Sequence, residues 1–441
     1  MMTSSTLTRR DALRRLAAIG LAAPAAFRAH ASDAPSETLL HASFGASGMG
    51  WSDIQSLTAS PHLKLVAVAD VDLRNVANVK QKFPDVRVYQ DWRELLDKEK
   101  KLDSVNVSTP DHMHGSITMA ALRRGLHVYT QKPLAQTIHE ARRLAEVAKE
   151  KGVVSQMGIQ IHSHEIHRTV VATIQSGMIG KVKEVHSWSG KQWGDRAARP
   201  SRTDPVPSGL NWDAWLGVAA DRPYIAGYYH PSNWRKRLDF GTGTFGDMGC
   251  HILDPVFSSL ELTSPKTVRS EGGAPNLDSW GLDSEVHYAF PGTKFTTESL
   301  ALHWYDGDRR PPAAATAAIG DRPLKDQGSI YLGTDGVLYS PYIDAPILLP
   351  AGKFAGKPLS NPGGTDHYLQ FVEACRGNGK TSAPFAYSGP LTESVLLGCL
   401  ATRFPHETLA WDAPRETITG NAPANGFVRR RNRMGWNFEG F

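Results

Sequence analysis

The sequence has little cysteine, little net charge and no long apolar run. Only Cys250, Cys375 and Cys399 occur among 441 residues. An odd, sparse set excludes a disulfide scaffold, so stability must come from a hydrophobic core. With hydrophobic residues at 41% there is enough apolar chain for one, and the length suits two domains. The apolar stretch Leu16 to Phe27 falls short of the ~20 residues a membrane helix needs. No other segment approaches that length, so the mature chain is expected to carry no integral membrane segment. Internal repeats and long low-complexity segments are lacking as well.

Charge of one sign is also scarce. The chain has 49 basic and 44 acidic residues, a net +5. Residues 1–31 hold Arg9, Arg10, Arg14, Arg15 and Arg28 but only one acid, Asp11, which leaves about +1 for the remainder. That excludes the basic footprint of a nucleic-acid binder. The short run Arg429-Arg430-Arg431 reads as solvated or ion-paired surface. Arg9-Arg10, the weakly apolar stretch and Ala29-His30-Ala31 come in the order of a twin-arginine export signal. Residues 1–31 are therefore predicted to address a folded precursor to the twin-arginine machinery, placing the mature protein in the periplasm or otherwise outside the cytoplasm.

What remains is an alternation of short apolar runs and helical stretches. Strand-like runs at Leu39–Phe44, Leu63–Ala69, 104–108, 126–130 and 153–157 are separated by helical patterns. Such alternation predicts an α/β fold opening with a doubly wound parallel Rossmann sheet, over residues 32–160. Thr137 and Glu140 form a capping box for a helix reaching Lys151. Beyond 160 the loops become rich in Gly, Pro and aromatics. Alternating segments at 181–190, 285–290, 295–304 and 329–339 predict a large, mostly antiparallel sheet over 161–441. Helix-like stretches at 246–260, 366–376 and 390–402 lie within it.

The first strand runs into Gly45-Ala46-Ser47-Gly48-Met49-Gly50. In a dinucleotide-binding turn the first glycine permits the tight bend, the second admits the pyrophosphate and the third lets helix and strand pack. Gly45, Ser47 and Gly50 occupy those places, with Gly48 beside Ser47 keeping the loop permissive. Helix amides beyond it would hold the pyrophosphate. Asp70 ends the next strand, where an acid binds the adenosine ribose hydroxyls and repels a 2′-phosphate. NAD is the expected cofactor; Arg74 is the nearby group that would accommodate NADP.

Two further patterns suggest chemistry. Gln131-Lys132-Pro133 follows a strand at the edge where open parallel sheets bind ligands. A lysine there would bind a substrate hydroxyl and stabilise a developing alkoxide. Asp247 and His251 stand four apart and share one face of a helix. A carboxylate beside an imidazole orients it and raises its basicity, as a general base requires. A third ligand at a recognisable spacing is lacking, so no metal is expected there.

The glycine loop, Ser108-Thr109-Pro110-Asp111-His112-Met113-His114, Gln131-Lys132-Pro133 and Asp247-x-Gly249-x-His251 occur in order. So does the late stretch His367-Tyr368-Leu369-x-Phe371-x-x-Ala374-Cys375. Together they resemble the glucose–fructose oxidoreductase and inositol dehydrogenase family (Gfo/Idh/MocA), over nearly the whole mature chain. The resemblance implies Lys132 as catalytic lysine, with Asp247 and with His251 as the base that takes a sugar hydroxyl proton. It implies cofactor contacts at Gly45, Ser47, Gly48, Met49, Gly50, Asp70, Ser108, Thr109, Pro110, His114, Gln131, Lys132 and Gln160. The family's usual glutamate before the lysine is Gln131 here, an uncharged amide. Homo-oligomers are also implied.

The second half offers Trp188, Trp193, Tyr228, Tyr229, His230, Trp234, Arg235, His303 and Trp304 as candidates for a sugar-binding cleft, with Trp234-Arg235 foremost. Aromatic faces pack on the C–H faces of sugar rings while charged groups fix hydroxyls. An exported dehydrogenase has no pool of free NAD to draw on, so its cofactor must be held and recycled in place. Oxidoreduction of a sugar or glycoside is the first expectation. An NAD-dependent glycosidase working by transient oxidation, elimination and re-reduction is the second. A non-catalytic dinucleotide-binding sensor is the third.

Overall fold

The computed structural model describes residues 38–272, 274–437 and 440–441. The predicted export signal lies outside the described residues. The N-terminal sheet contains β1 (Leu39–Phe44), β2 (Leu63–Ala69), β3 (Arg87–Tyr89), β4 (Ser104–Val107), β5 (His127–Gln131) and β6 (Ser155–Gly158). All pairings are parallel, in the order β3-β2-β1-β4-β5-β6. β1 and β4 lie inside the sheet with nearly every residue buried, and their polar side chains satisfy one another there, His41 meeting Ser104 Oγ at 2.8 Å and Asn106 Oδ1 at 2.9 Å. The chain leaves β1 in one direction along the sheet and β4 in the other. A crevice therefore opens beyond their carboxyl ends.

The second sheet has nine strands: β7 (Val182–Ser189), β8 (Thr267–Ser270), β9 (Glu285–Pro291), β10 (Thr296–Asp306), β11 (Gln327–Gly333), β12 (Val337–Ser340), β13 (Ile347–Leu349), β14 (Thr408–Asp412) and β15 (Thr417–Thr419). Their order is β13-β12-β11-β7-β10-β9-β8-β14-β15, antiparallel except for the β7–β10 pair. Alternation along β9 turns Val286, Tyr288 and Phe290 inward. The inner face packs on helices. Trp304 stacks on Phe245 with centroids 4.5 Å apart, and Tyr288 donates to the Ser394 carbonyl at 2.8 Å. The helix Phe385–Ala401 touches the helix Ile138–Lys151, β6, β8 and β9, so one hydrophobic core runs between the sheets.

Three elements differ from the sequence reading. The segment 329–339 is a hairpin, β11 and β12, closed where the Gly333 amide meets the Gly336 carbonyl. Its alternation continues through the turn and hides it. The stretch 246–260 is two helices, Gly243–Ile252 and Asp254–Leu260, divided at Leu253 because Pro255 must sit in a first turn. The last long helix begins at Phe385, with Pro390 inside it. An interior proline costs about 3 kcal/mol, and burial of almost the entire helix offsets that.

The capping box forms as read. The Thr137 hydroxyl accepts from the Glu140 amide at 3.3 Å, and the Glu140 carboxylate accepts from the Thr137 amide at 3.2 Å. Thr137→Ala is expected to lower stability by about 1 kcal/mol, read from the midpoint of urea unfolding. An unchanged midpoint would show that packing alone sets the helix start.

Candidate functional site

The loop after β1 builds one wall of a cleft. Gly45 has φ +100°, and a Cβ there would lie 2.5 Å from the Ser108 carbonyl oxygen. A Cβ on Gly50 would meet Gly45 at 2.8 Å. Both positions therefore need glycine, the first for its bend and the second for helix–strand contact. The helix Met49–Leu57 starts at Gly48 with no side-chain cap, leaving first-turn donors for an anion. Asp70 sits at the end of β2. Its Oδ2 accepts from the Ala46 amide at 2.9 Å, and its Oδ1 from the Asp72 amide at 2.9 Å. Burial raises its carboxyl above the ordinary range. The Thr109 hydroxyl is buried on this wall without a hydrogen-bond partner. Uncapped amides, a close-approach loop and an orphaned hydroxyl all suit a dinucleotide. Nearby, Arg74 forms a two-point pair with Asp72, whose Oδ2 also meets His230 Nε2 at 3.1 Å.

The cleft continues from this loop to Lys132. Lys132 Nζ donates to Asp247 Oδ1 at 2.7 Å and to the Asp247 carbonyl at 3.0 Å. Arg235 Nε lies 3.4 Å from Oδ1, while Trp193 Nε1 and Lys191 Nζ approach Oδ2 at 3.0 and 3.5 Å. Burial pushes the Asp247 carboxyl up, but Lys132, Arg235 and Lys191 outweigh it and hold the group well below the usual carboxylate range. The Arg235 guanidinium lies over Trp234, 4.3 Å from the ring centre.

Residues 41–159 match the family model described as an oxidoreductase family with an NAD-binding Rossmann fold. Residues 164–294 match the C-terminal alpha/beta domain of the same family. The chain belongs to the Gfo/Idh/MocA oxidoreductase family. Its relatives include levoglucosan dehydrogenase of Pseudarthrobacter phenanthrenivorans, 26% identical over 44% of this chain and 42% of that protein. An NADP-type scyllo-inositol 2-dehydrogenase of Bacillus subtilis is 24% identical over 43% of each chain. The match thus spans less than half the length of either relative. Among solved structures, a Bordetella pertussis WlbA dehydrogenase in complex with NADH and UDP-GlcNAcA has a TM-score of 0.61 at 13% identity, over 85% of this chain and 99% of the other. An inositol dehydrogenase homologue from Azotobacter vinelandii, complexed with NADH and myo-inositol, has a TM-score of 0.56 at 16% identity, over 86% and 99%. These two likenesses concern the fold.

The family's motifs do not all face the cleft. Gly45, Ser47, Gly48, Met49, Asp70, Ser108, Thr109, Pro110, His114, Gln131, Lys132, His230, Trp234, Arg235 and Asp247 line it. Gly50 is buried behind the loop. His114 clamps the floor, one ring nitrogen 2.7 Å from the Thr109 carbonyl and the other 2.7 Å from that of Pro133. Gln160 stands off the cleft and donates to Tyr129 and Tyr368. Trp193 is not on the lining and reaches the site through Asp247 and Arg235. His251 is not on the lining, and its Nδ1 is buried without a partner.

Several expectations need correction. No hydrogen bond joins Asp247 to His251 among the described residues, because three cations and Trp193 occupy the carboxylate. His251 is not made more basic. Burial and Lys132 pull it down to about 3, against the opposing pull of Asp247. Tyr229 is not a cleft residue but is buried against Trp212, Tyr228 and Phe240. Trp188 and Trp304 are fully buried core residues, Tyr228 packs under Arg237, and His303 lies on the far face of the second sheet. Aromatic content alone does not say which rings meet solvent.

Asp53 was missed. Its carboxylate accepts from Gln131 Nε2 at 2.9 and 3.0 Å, from the Ser108 hydroxyl at 2.6 Å and from the Tyr368 hydroxyl at 2.8 Å. The signal was an acid on the buried stripe Gly50, Asp53, Ile54, Leu57. Burial pushes its carboxyl up to about 6, against the pull of these hydrogen bonds. A carboxyl that binds its proton more tightly folded than unfolded contributes stability at low pH that is lost as pH rises. The loss runs from the ordinary value near 4 up to about 6, and a two-unit shift corresponds to roughly 3 kcal/mol. Asp53→Asn is expected to flatten unfolding free energy against pH over that window. An unaltered slope between pH 4 and 6 would refute the assignment.

Proposed function

We propose that this protein is an NAD-dependent oxidoreductase acting on a hydroxyl-bearing carbon of a sugar or glycoside. The observation that carries the reading is Lys132, anchored by Asp247 and opening on the same cleft as the glycine loop. Bound NAD would supply the hydride acceptor or donor. The uncapped amides at the start of the helix Met49–Leu57 would hold the pyrophosphate and Asp70 the adenosine ribose. With Arg74 committed to Asp72, a 2′-phosphate would meet two carboxylates, which favours NAD over NADP.

Lys132 would hold the substrate oxygen and stabilise negative charge on it as the proton leaves. Asp247 keeps the ammonium aimed. Arg235 and Trp234 form the adjoining wall, placed to orient the ring of a sugar. The resemblance implies His251 as the proton acceptor, but its ring is off the cleft lining and burial leaves it weakly basic, so we assign it no direct contact with the substrate. His251 stands one helical turn from Asp247, away from the cleft wall, so its part is tested separately from that of Lys132. Reading residues 1–31 as an export signal supports a cofactor retained within the protein rather than exchanged.

Purified protein is expected to carry the near-ultraviolet absorbance of nicotinamide without added NAD. It should convert a sugar to its keto form when an electron acceptor is supplied. Lys132→Ala should lower kcat by about 100-fold or more while the bound nicotinamide remains. His251→Ala should lower kcat far less than Lys132→Ala does. Full turnover in Lys132→Ala would overturn the site. Release of aglycone from aryl glycosides with no net redox change would replace the oxidoreductase reading with a glycosidase.

A further inference from the structure

The outer face of the second sheet, away from the cleft, carries a row of imidazoles. His186 on β7 is paired with His303 on β10, and His303 with His287 on β9. The His186 and His303 rings stack with centroids 4.7 Å apart, and the His287 ring stands across His303 at 4.8 Å. Glu184, two residues before His186, shares their face. Its Oε1 lies 2.9 Å from His186 Nε2 and 3.2 Å from His303 Nε2. The far ring nitrogens are also engaged: His186 Nδ1 with the Tyr305 hydroxyl at 3.0 Å, and His303 Nδ1 with His287 Nδ1 at 2.5 Å. His287 Nε2 then faces Glu285 at 3.3 Å.

This arrangement is short of one positive ion. The chain Glu184, His303, His287, Glu285 has three contacts. Two neutral imidazoles supply two hydrogens, and the carboxylates supply none. However the tautomers are chosen, two acceptors face each other at one contact. One choice gathers the deficit in a single place. His287 donates to Glu285, His303 donates through Nδ1 to His287, and His186 donates through Nδ1 to Tyr305. Both Nε2 atoms then face the Glu184 carboxylate without a hydrogen. The three ligand atoms lie within 4.8 Å of one another. Ligands 2.0–2.1 Å from a tetrahedral ion stand roughly 3.3 Å apart, close to the 2.9 and 3.2 Å that separate Glu184 from the two histidines.

We infer that Glu184, His186 and His303 form a binding site for a divalent transition-metal ion, zinc by preference. Two imidazoles and a carboxylate are a donor set that zinc accepts, with a fourth position left for water. Tyr305 and His287 fix the outer nitrogens of the ligating rings, as partners of metal-bound histidines do. The ion would cross-link β7 and β10, the one parallel pair in the sheet.

The test uses the full chain without a histidine tag, stripped with chelator and titrated calorimetrically with zinc chloride. One ion per chain is expected, with a Kd of about 10 µM or below and a raised Tm. Glu184 is the most exposed ligand, so Glu184→Ala should fold and should weaken binding at least tenfold. His287→Ala should weaken it by about 10- to 100-fold. As a second readout, cobalt(II) should give a ligand-field absorbance that zinc abolishes and His303→Ala lacks. Binding no tighter than about 1 mM, or an unchanged Kd in both Glu184→Ala and His303→Ala, would overturn the proposal.

Discussion

The site depends on one carboxylate. Asp247 lies in the helix Gly243–Ile252 of the second half, and Lys132 follows the last residue of β5 in the first. Their contact, 2.7 Å between side chains with 13% and 9% exposure, sets how the two halves meet across the cleft. A carboxylate this buried is costly to desolvate, and one cation rarely repays that cost. Here Lys132, Arg235 and Lys191 share it, and Trp193 adds an indole hydrogen. Removing Asp247 would leave three cations facing one another in a partly dry cleft.

Behind that contact lies a rearrangement of charge. Where the family resemblance leads one to look for a glutamate, this chain has the neutral amide of Gln131, and the carboxylate stands one step farther back, at Asp53. Gln131 Nε2 donates to it, and so do Ser108 from the end of β4 and Tyr368 from the helix His367–Cys375. A Cβ on Gly158 would lie 2.7 Å from the Gln131 side chain, so that glycine makes room for the network. The cleft floor is thus pinned to both the glycine-loop helix and a late helix of the chain.

What could be read from the sequence was whatever depends on local order. The alternation of strands and helices, the bend at Gly45, the capping box at Thr137 and the lysine at a strand end all follow from neighbouring residues. Pairings between distant segments were illegible. The i,i+4 spacing of Asp247 and His251 correctly puts them one turn apart. It could not show that cations from residues 132, 191 and 235 would claim the carboxylate first. Tyr229 looks like Trp234 in sequence, both aromatic and beside a polar residue. Only the packing of Trp212, Trp215 and Phe240 decides that the former is core. Pro390 looked like a helix start because an interior proline is normally excluded, and tertiary burial overrode that rule.

Strand order explains why the legible fragments belong to one site. Asp70 follows β2, Gly45 follows β1, Ser108 follows β4 and Lys132 follows β5, and these strands are consecutive neighbours in the sheet. At about 4.8 Å between strands, the acid and the lysine stand roughly 14 Å apart with the glycine loop between them. Acid, uncapped helix amides and cation therefore lie in a line along one sheet edge. That is also the order of ribose, pyrophosphate and reactive ring along a dinucleotide. The polarity of the edge gives such a molecule one orientation, since reversing it would bring Asp70 to the reacting end and leave Lys132 beside the ribose. The switch in winding direction between β1 and β4 is what opens this edge, and it places the Lys132–Asp247 contact at the end where chemistry can occur.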